Sequence, residues 1–226
     1  MNSVMLAVVE PKTAPLVQSP PQTRPLSKGA ATRARIMDLA YDRIVDKGFA
    51  ATSIEELVEA GGVTKSGFFY HFKDKNDLAR QLIDRFIERD EELLNDMEAR
   101  ARNLHEDPLH SYLIFLTLTA EVMDAFMKAR PGCLVAAIVI QDSAFDAGVR
   151  QRSVEIILNW RRRYLNWLEE IAAVHPPRSP VSLETVADQM TVIVEGGILL
   201  SKGLRDPDQA GRHIMFYRET VRLLFS

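Results

Sequence analysis

The chain has 226 residues, of which 46% are apolar and 26% are charged, and its formal net charge is −3 at neutral pH. These are the values of an ordinary globular protein, and they exclude a uniformly basic protein that coats nucleic acid. The single cysteine, Cys133, excludes an internal disulfide framework. The five histidines lack the spacing of a zinc motif, so we expect no metal and no cofactor.

The sequence carries no targeting or membrane signal that we recognise. No cationic segment followed by a long apolar run opens the chain, and the apolar stretch Met190 to Leu200 is interrupted by Glu195. We therefore expect a soluble, cytoplasmic protein.

Residues 1–30 are rich in proline, with five prolines among Ser, Thr and Gln and few large apolar side chains. Such a segment buries too little surface to offset its chain entropy, so a disordered tail is expected.

Residues 31–77 change to a helical periodicity. Apolar residues recur at helical spacing after Thr32, which we interpret as the N-cap, and Gly48 is expected to end this first helix. A second helix follows Ser53, which forms an S-x-x-E capping box with Glu56.

The turn after the second helix is marked by Gly61-Gly62. Thr64 then caps a third helix that runs to about His71. Two short helices separated by a glycine turn, the second of them polar, aromatic and basic, are typical of a helix-turn-helix. The local charge agrees, because residues 24–75 hold 9 basic and 7 acidic residues, whereas residues 76–226 hold 18 basic and 23 acidic.

Residues 78–226 also have helical periodicity and little strand signal. A long charged helix is expected from about Lys75 to Asn103, and the last helix is expected to begin at Pro207 with Asp206 as its N-cap. The helices between them are expected at 109–128, 133–141, 146–174 and 182–204. The prediction is an all-α protein of about nine helices, with an N-terminal DNA-binding domain and a C-terminal helical bundle.

With these elements placed, the chain resembles the TetR/AcrR family of transcriptional regulators over about residues 32–82. The residues that carry the resemblance are Thr32-Arg33, Gly48-Phe49, Thr52-Ser53-Ile54, Ala60, Gly62-Val63-Thr64-Lys65, Phe69-Tyr70-His71-Phe72, Lys75 and Leu78. The resemblance implies a homodimer that binds a palindromic double-stranded operator, usually as a repressor. It also implies that a small-molecule effector enters the C-terminal domain and weakens DNA binding.

We expect the third helix to contact DNA. Lys65 is expected to reach base edges, while Tyr70, His71, Lys73 and Lys75 are expected to contact phosphates. Further candidates for DNA contact are Thr52, Ser53, Thr64, Ser66, Gly67 and Phe69. Phe68 and Phe72 are expected in the core instead. The family usually places Gly directly after this Lys, whereas here the order is Ser66-Gly67, so the operator sequence cannot be taken from a relative.

Two further sets of residues are weaker candidates. Aromatic side chains recur at helical spacing in the C-terminal part, a pattern that is also common in ordinary hydrophobic cores. Its functional interpretation is an effector pocket lined by Tyr112, Phe115, Thr119, Phe126, Cys133, Trp160 and Tyr164. Cys133 follows Pro131-Gly132 at a helix start, where a thiolate is favoured, which raises the hypothesis of redox or electrophile sensing.

The last two helices are apolar on more sides than one core face needs, which predicts a four-helix dimer interface. Its candidate residues are Val186, Met190, Ile193, Val194, Gly197, Ile214, Tyr217 and Val221.

Two alternatives stay open. The protein could be a DNA-binding regulator without a small-molecule ligand, switched by a protein partner or by redox chemistry. It could also be an all-α enzyme, although the C-terminal part offers no convergent titratable groups at useful spacing.

Overall fold

A computed structural model describes residues 27–130 and 132–226, and within those ranges the protein is all-α, as predicted. The nine α-helices of this part are α1 (Lys28–Lys47), α2 (Ile54–Gly61), α3 (Lys65–His71), α4 (Lys75–Leu104), α5 (Pro108–Ala129), α6 (Leu134–Ile140), α7 (Ala147–Val174), α8 (Leu183–Leu204) and α9 (Gln209–Phe225). A short 3-10 turn, Asp142–Ala144, links α6 to α7. The tail predicted at residues 1–30 lies outside the described residues up to residue 26.

Two helix starts, those of α2 and α3, were predicted correctly from their caps. Ser53 Oγ accepts the Glu56 N–H at 3.1 Å, and Thr64 Oγ1 accepts the Gly67 N–H at 3.1 Å. Asp146 caps α7 and Ser182 caps α8 in the same way. These short polar side chains satisfy backbone N–H groups that have no partner inside the helix.

The prediction for the start of α1 was wrong. Ser27 is the N-cap, with its Oγ accepting the Ala30 N–H at 3.2 Å, so residues 28–30 are helical rather than part of the tail. Thr32 lies inside the helix, where its hydroxyl donates to the Lys28 carbonyl at 2.9 Å. A Thr one turn inside a helix can make this bond to a preceding carbonyl, so its sequence alone did not identify the helix start.

The start of α9 also differs from the prediction. The helix begins at Gln209, and Asp206 and Pro207 precede it. Asp206 Oδ1 accepts the Asp208 N–H at 3.1 Å, which closes a turn before the helix instead of capping it at Pro207.

Helices α1 to α3 form a small domain around a shared apolar core. Phe68 and Phe72 are buried in it, as predicted, together with Ile36 and Leu57. Gly62 ends α2 in the left-handed conformation, with φ of 58°, which a residue without Cβ adopts at little cost. This turn sets the angle at which α3 leaves α2 and so positions its outward face.

Helices α4, α5, α7, α8 and α9 form the larger bundle, in which α5 and α8 both pack against α9. α8 and α9 approach closely at Gly197, where an added Cβ would lie 2.7 Å from the Ala210 Cα. None of the described helices combines the length and the apolarity that crossing a membrane requires.

The small domain of α1 to α3 and the larger bundle are joined by direct contacts as well as by α4. The Phe49 and Phe145 rings stack with centroids 4.0 Å apart, and the Phe49 N–H donates to Gln141 Oε1 at 3.0 Å. Arg130 pairs with Asp42 at 3.1 Å across the same junction. The end of α5 and the α6–α7 connection therefore contact α1 and the segment before α2 directly.

Candidate DNA-binding surface and ligand cavity

The outward face of α3 is polar and exposed. Thr64 and Ser66 share a hydrogen bond at 3.0 Å between their hydroxyls, beside the half-buried Gly67. Lys65 Nζ lies 2.7 Å from Glu55 Oε1 on α2, and both side chains are mostly exposed. An exposed ion pair of this kind contributes little to stability, so the ammonium can exchange Glu55 for an anionic or base partner.

The C-terminal half of α3 places aromatic groups in solvent. Tyr70 is 83% exposed and Phe69 is 46% exposed, while Phe68 beside them is fully buried. His71 is half-buried, and Ser53 and Lys73 are exposed on either side of this face. Large apolar groups held in water next to basic residues are expected at a surface that binds another molecule.

Two residues that were predicted to contact DNA are used inside the domain. Lys75 Nζ donates to the carbonyls of Phe49 and Thr52, at 2.9 Å each, and lies 4.2 Å from the centroid of the Phe49 ring. The Thr52 hydroxyl is buried and donates to the Gly48 carbonyl at 2.9 Å. Both side chains therefore hold the α1–α2 connection. The sequence pattern did not distinguish a lysine that faces phosphates from one that satisfies buried carbonyls.

A cavity of about 80 Å³ lies inside the bundle against α1. It exceeds the roughly 10–15 Å³ that one water requires and is about half of the roughly 150 Å³ of an apolar cavity that binds benzene, so an aromatic ligand would have to displace side chains of the wall. Five of the seven predicted pocket residues line it: Thr119, Phe126, Cys133, Trp160 and Tyr164. Tyr112 and Phe115 do not line it, because they pack in an aromatic cluster with Trp167, at centroid distances of 5.1 and 5.0 Å.

Sequence reasoning missed four polar residues of this cavity, which are Tyr41 on α1, Asp90 on α4, and Thr191 and Glu195 on α8. Asp90 Oδ2 accepts the Trp160 indole N–H at 2.6 Å. Within the described part of the chain, the buried Tyr41 hydroxyl has no hydrogen-bond partner. One signal was available, because Glu195 interrupts an otherwise apolar stretch of α8. Asp90 lies in α4 among many other acidic residues, so its sequence context did not indicate a buried carboxyl group.

The hypothesis that Cys133 is a reactive thiolate is not supported. Burial and the neighbouring Glu195 carboxyl raise the pKa of the Cys133 thiol well above its usual value. Its sulfur serves instead as the N-cap of α6, accepting the Ala136 N–H at 3.5 Å. A thiol held in its protonated form is a poor nucleophile, so the helix-start position does not make this cysteine a sensor.

Asp90 should make the stability of the protein depend on pH. Burial raises its pKa from 3.8 to about 6, although the Trp160 hydrogen bond acts in the opposite direction. The folded state therefore binds the proton more tightly than the unfolded state, and stability is lost as the pH rises from about 4 to about 6.

We expect Asp90→Asn to raise the free energy of unfolding by up to about 2–3 kcal/mol at pH 7 and to have little effect near pH 4. Urea denaturation of both proteins between pH 4 and pH 8 measures this difference. Asp96→Asn, an exposed carboxylate on the same helix, is the matched control. A difference between the Asp90 variant and the parent that stays constant over this pH range would contradict the assignment.

The histidines come together in a way that their spacing did not predict. His105, Asp107 and His110 place one potential ligand atom each within 4.8 Å of one another, and His175 Nε2 lies 2.6 Å from Asp107 Oδ2. Asp107 also caps α5, with Oδ1 accepting the His110 N–H at 2.9 Å. Although burial opposes it, hydrogen bonds from His175 and from the His110 backbone and ring lower the pKa of Asp107. Both carboxylate oxygens of Asp107 already have hydrogen-bond partners. We therefore interpret the cluster as a structural link between the α4–α5 connection and the end of α7, and we assign no metal to it.

The predicted dimer residues are largely used inside the protomer. Met190, Gly197, Ile214, Tyr217 and Val221 are buried between helices of one chain, and Val186, Ile193 and Val194 are half-buried. The exposed apolar residues of α8 and α9 lie on other faces: Val192, Leu199, Leu200, Leu204, Phe216 and Leu223. Five of the eight predicted residues therefore face the core of one chain, because periodicity does not say which of two apolar faces meets the core. The dimer interface itself stays a prediction.

The small N-terminal domain, with an exposed polar third helix set by a glycine turn, defines the chain as a helix-turn-helix DNA-binding protein. Residues 36–82 match the family described as "Bacterial regulatory proteins, tetR family". Over this domain the chain is similar to the TetR/AcrR family of transcriptional regulators.

Named relatives and solved structures agree with this assignment. The chain is 25% identical to the transcriptional regulator AcuR of Cereibacter sphaeroides, over 84% of this chain and 86% of the relative. It is 39% identical to the regulator AcrR of Shigella flexneri, over 23% of this chain and 24% of that protein. The crystal structure of a TetR-family regulator from Agrobacterium tumefaciens has the same fold, with 16% identity and a TM-score of 0.73, covering 88% of this chain and 100% of that one. All three are described as transcriptional regulators.

Proposed function

We propose that this regulator is a repressor that binds a palindromic operator as a homodimer and is released by a small-molecule effector. The proposal rests on the exposed face of α3. The side chains of Lys65, Ser66 and Tyr70 are exposed to solvent there. Side chains of these types read base edges and hold phosphates. Since its target is chromosomal DNA, the proposed place of action is the cytoplasm.

A second copy of the chain is the proposed occupant of the free face of α8 and α9. Val192 and Leu199 are seven residues apart on α8, and Phe216 and Leu223 are seven apart on α9. Residues at this spacing lie on one side of a helix, so each helix carries an apolar stripe. Two copies related by a twofold axis would cover both stripes in a four-helix interface.

The cavity is the proposed effector site. Tyr41 brings α1 of the DNA-binding domain directly to its wall, next to residues of α4, α5, α7 and α8. A ligand that fits the cavity better in one arrangement of α1 than in another shifts the protein towards that arrangement. This differential affinity is what weakening of DNA binding by an effector requires.

Removal of the Lys65 ammonium tests the DNA-reading face. We expect Lys65→Ala to weaken operator binding by about 1–3 kcal/mol and to relax discrimination between operator variants, because a base contact is lost. Fluorescence anisotropy with a labelled operator and with mutated operators measures both effects. Lys128→Ala, which removes an exposed lysine paired with Asp208 in the bundle, is the matched control. Equal affinity and equal discrimination in the parent and in Lys65→Ala would contradict the proposed role.

A further inference from the structure

The charged side chains that line the cavity are acidic. Asp90 and Glu195 contribute carboxyl groups, and among the residues that the structure describes no Lys, Arg or His lines the cavity. Burial raises the pKa of both groups, because an ionised carboxylate loses its hydration there without gaining a cation. The cavity therefore disfavours anions, and its own carboxyl groups lack a positive partner inside it.

The two guanidinium groups that act on Asp90 and on Tyr41 from outside the cavity wall have other partners. Arg163, which acts on Asp90 from a distance, donates to Glu98 at 2.6 Å and to Asn95 at 2.7 Å. Arg130, whose guanidinium lies 5.8 Å from the centroid of the Tyr41 ring, pairs with Asp42 at 3.1 Å. Neither supplies the cation that the two carboxyl groups could use.

The rest of the wall suits an organic cation. The rings of Tyr41, Phe86, Phe126, Trp160 and Tyr164 line the cavity, and aromatic faces attract alkylammonium groups. The unpaired Tyr41 hydroxyl offers one further oxygen acceptor, on the helix that belongs to the DNA-binding domain. Aliphatic residues such as Leu94, Met97 and Ile198 complete the wall and would surround an apolar body.

From this lining we infer that the effector is a small apolar organic cation, an amine or a quaternary ammonium compound, whose charge lies between Asp90 and Glu195 and against the aromatic rings. This inference rests on the proposed function of the cavity as the effector site and specifies its ligand class. A bound cation supplies the missing positive partner, so binding is favoured for cations and disfavoured for anions of the same shape.

Three probes that share a phenyl group and differ in charge test the inference on the full chain. They are benzyltrimethylammonium, 2-phenylethanol and 3-phenylpropionate, applied to the free protein in calorimetry and thermal unfolding, and to the operator complex in anisotropy. We expect benzyltrimethylammonium to bind, to raise the midpoint of unfolding and to release the operator, with an affinity at least about tenfold above that of the other two probes. 3-Phenylpropionate should be the weakest.

Two variants then test whether the carboxyl groups of the cavity bind the cationic group of the probe. Glu195→Gln and Asp90→Asn should each lower the affinity for benzyltrimethylammonium by about tenfold or more and leave the affinity for 2-phenylethanol nearly unchanged. Glu121→Gln, an exposed carboxylate on α5, should change neither affinity. Retention of operator binding by both cavity variants shows that they fold.

The outcomes distinguish the proposed ligand class from the proposed role of the cavity as the effector site. Binding and operator release by 2-phenylethanol or 3-phenylpropionate, with no preference for the cation, would overturn the ligand class while supporting the cavity as an effector site. Cation binding that survives both substitutions would also overturn the assignment. Silence of all three probes in every assay would overturn the inference and count against small-molecule release itself.

Discussion

Leu199→Glu is expected to leave each protomer folded but to convert the protein to a monomer at micromolar concentration and to lower operator affinity by about 100-fold or more. Leu199 is 72% exposed and lies on the proposed dimer stripe of α8 with Val192. A carboxylate there would be buried without a partner in the dimer and freely hydrated in the monomer. Since a palindromic operator is bound by two linked α3 helices, loss of the dimer removes the effective concentration that the second helix gains from the first.

Sedimentation velocity and operator anisotropy measure the two consequences. Val154→Glu is the matched control, because Val154 is also an exposed apolar residue, 54% exposed, but lies on α7 away from the stripe. It should remain dimeric and bind the operator as the parent does. A Leu199→Glu protein that sediments as a dimer would contradict the proposed interface.

Lys75→Met is expected to destabilise the DNA-binding domain, by about 1–3 kcal/mol, rather than to remove a contact with DNA. The ammonium group donates to the Phe49 and Thr52 carbonyls, and partial burial lowers the pKa of Lys75. Methionine keeps most of the apolar length but cannot donate, so the two carbonyls lose their shared partner. Operator affinity of the folded fraction should change little.

Lys73→Met gives the opposite expectation and serves as the comparison. Lys73 is exposed, two residues away from Lys75. Its loss should leave stability unchanged, weaken binding to all DNA sequences alike and reduce the salt dependence of binding. Denaturation curves and anisotropy at several salt concentrations distinguish the two variants. The opposite result, an unchanged stability and a uniform loss of affinity in Lys75→Met, would return Lys75 to the phosphate-binding set.

In the proposed mechanism, a ligand in the cavity acts on the DNA-binding domain through α1. Tyr41 belongs to α1 and also forms part of the cavity wall, while Phe49 and Phe145 stack across the junction between the two parts. A ligand beside Tyr41 therefore acts on the same helix that packs against α2 and α3. No contact of the ligand with DNA is needed for its presence to change the position of the recognition helix.

Local signals in the sequence were sufficient to predict the helices, the caps of α2 and α3, and the class of protein. Ser53 and Thr64 capped their helices as predicted because an N-cap bond involves residues only three positions apart. The glycine turn, the polar third helix and the burial of Phe68 and Phe72 followed from the same short-range patterns. Together with the family resemblance, these were sufficient to place α3, the helix that is proposed to contact DNA.

Tertiary structure decided which residues are free to act. Lys73 and Lys75 look alike in the sequence, but only the position of the Phe49 and Thr52 carbonyls shows that Lys75 is engaged inside the domain. Periodicity found the apolar excess of α8, but packing against α9 determined that Met190 faces inwards while Leu199 faces outwards. Asp90 and Glu195 lie 105 positions apart and share a cavity only because α4 and α8 meet there. Such long-range relations set burial and charge environment, and no local pattern encodes them.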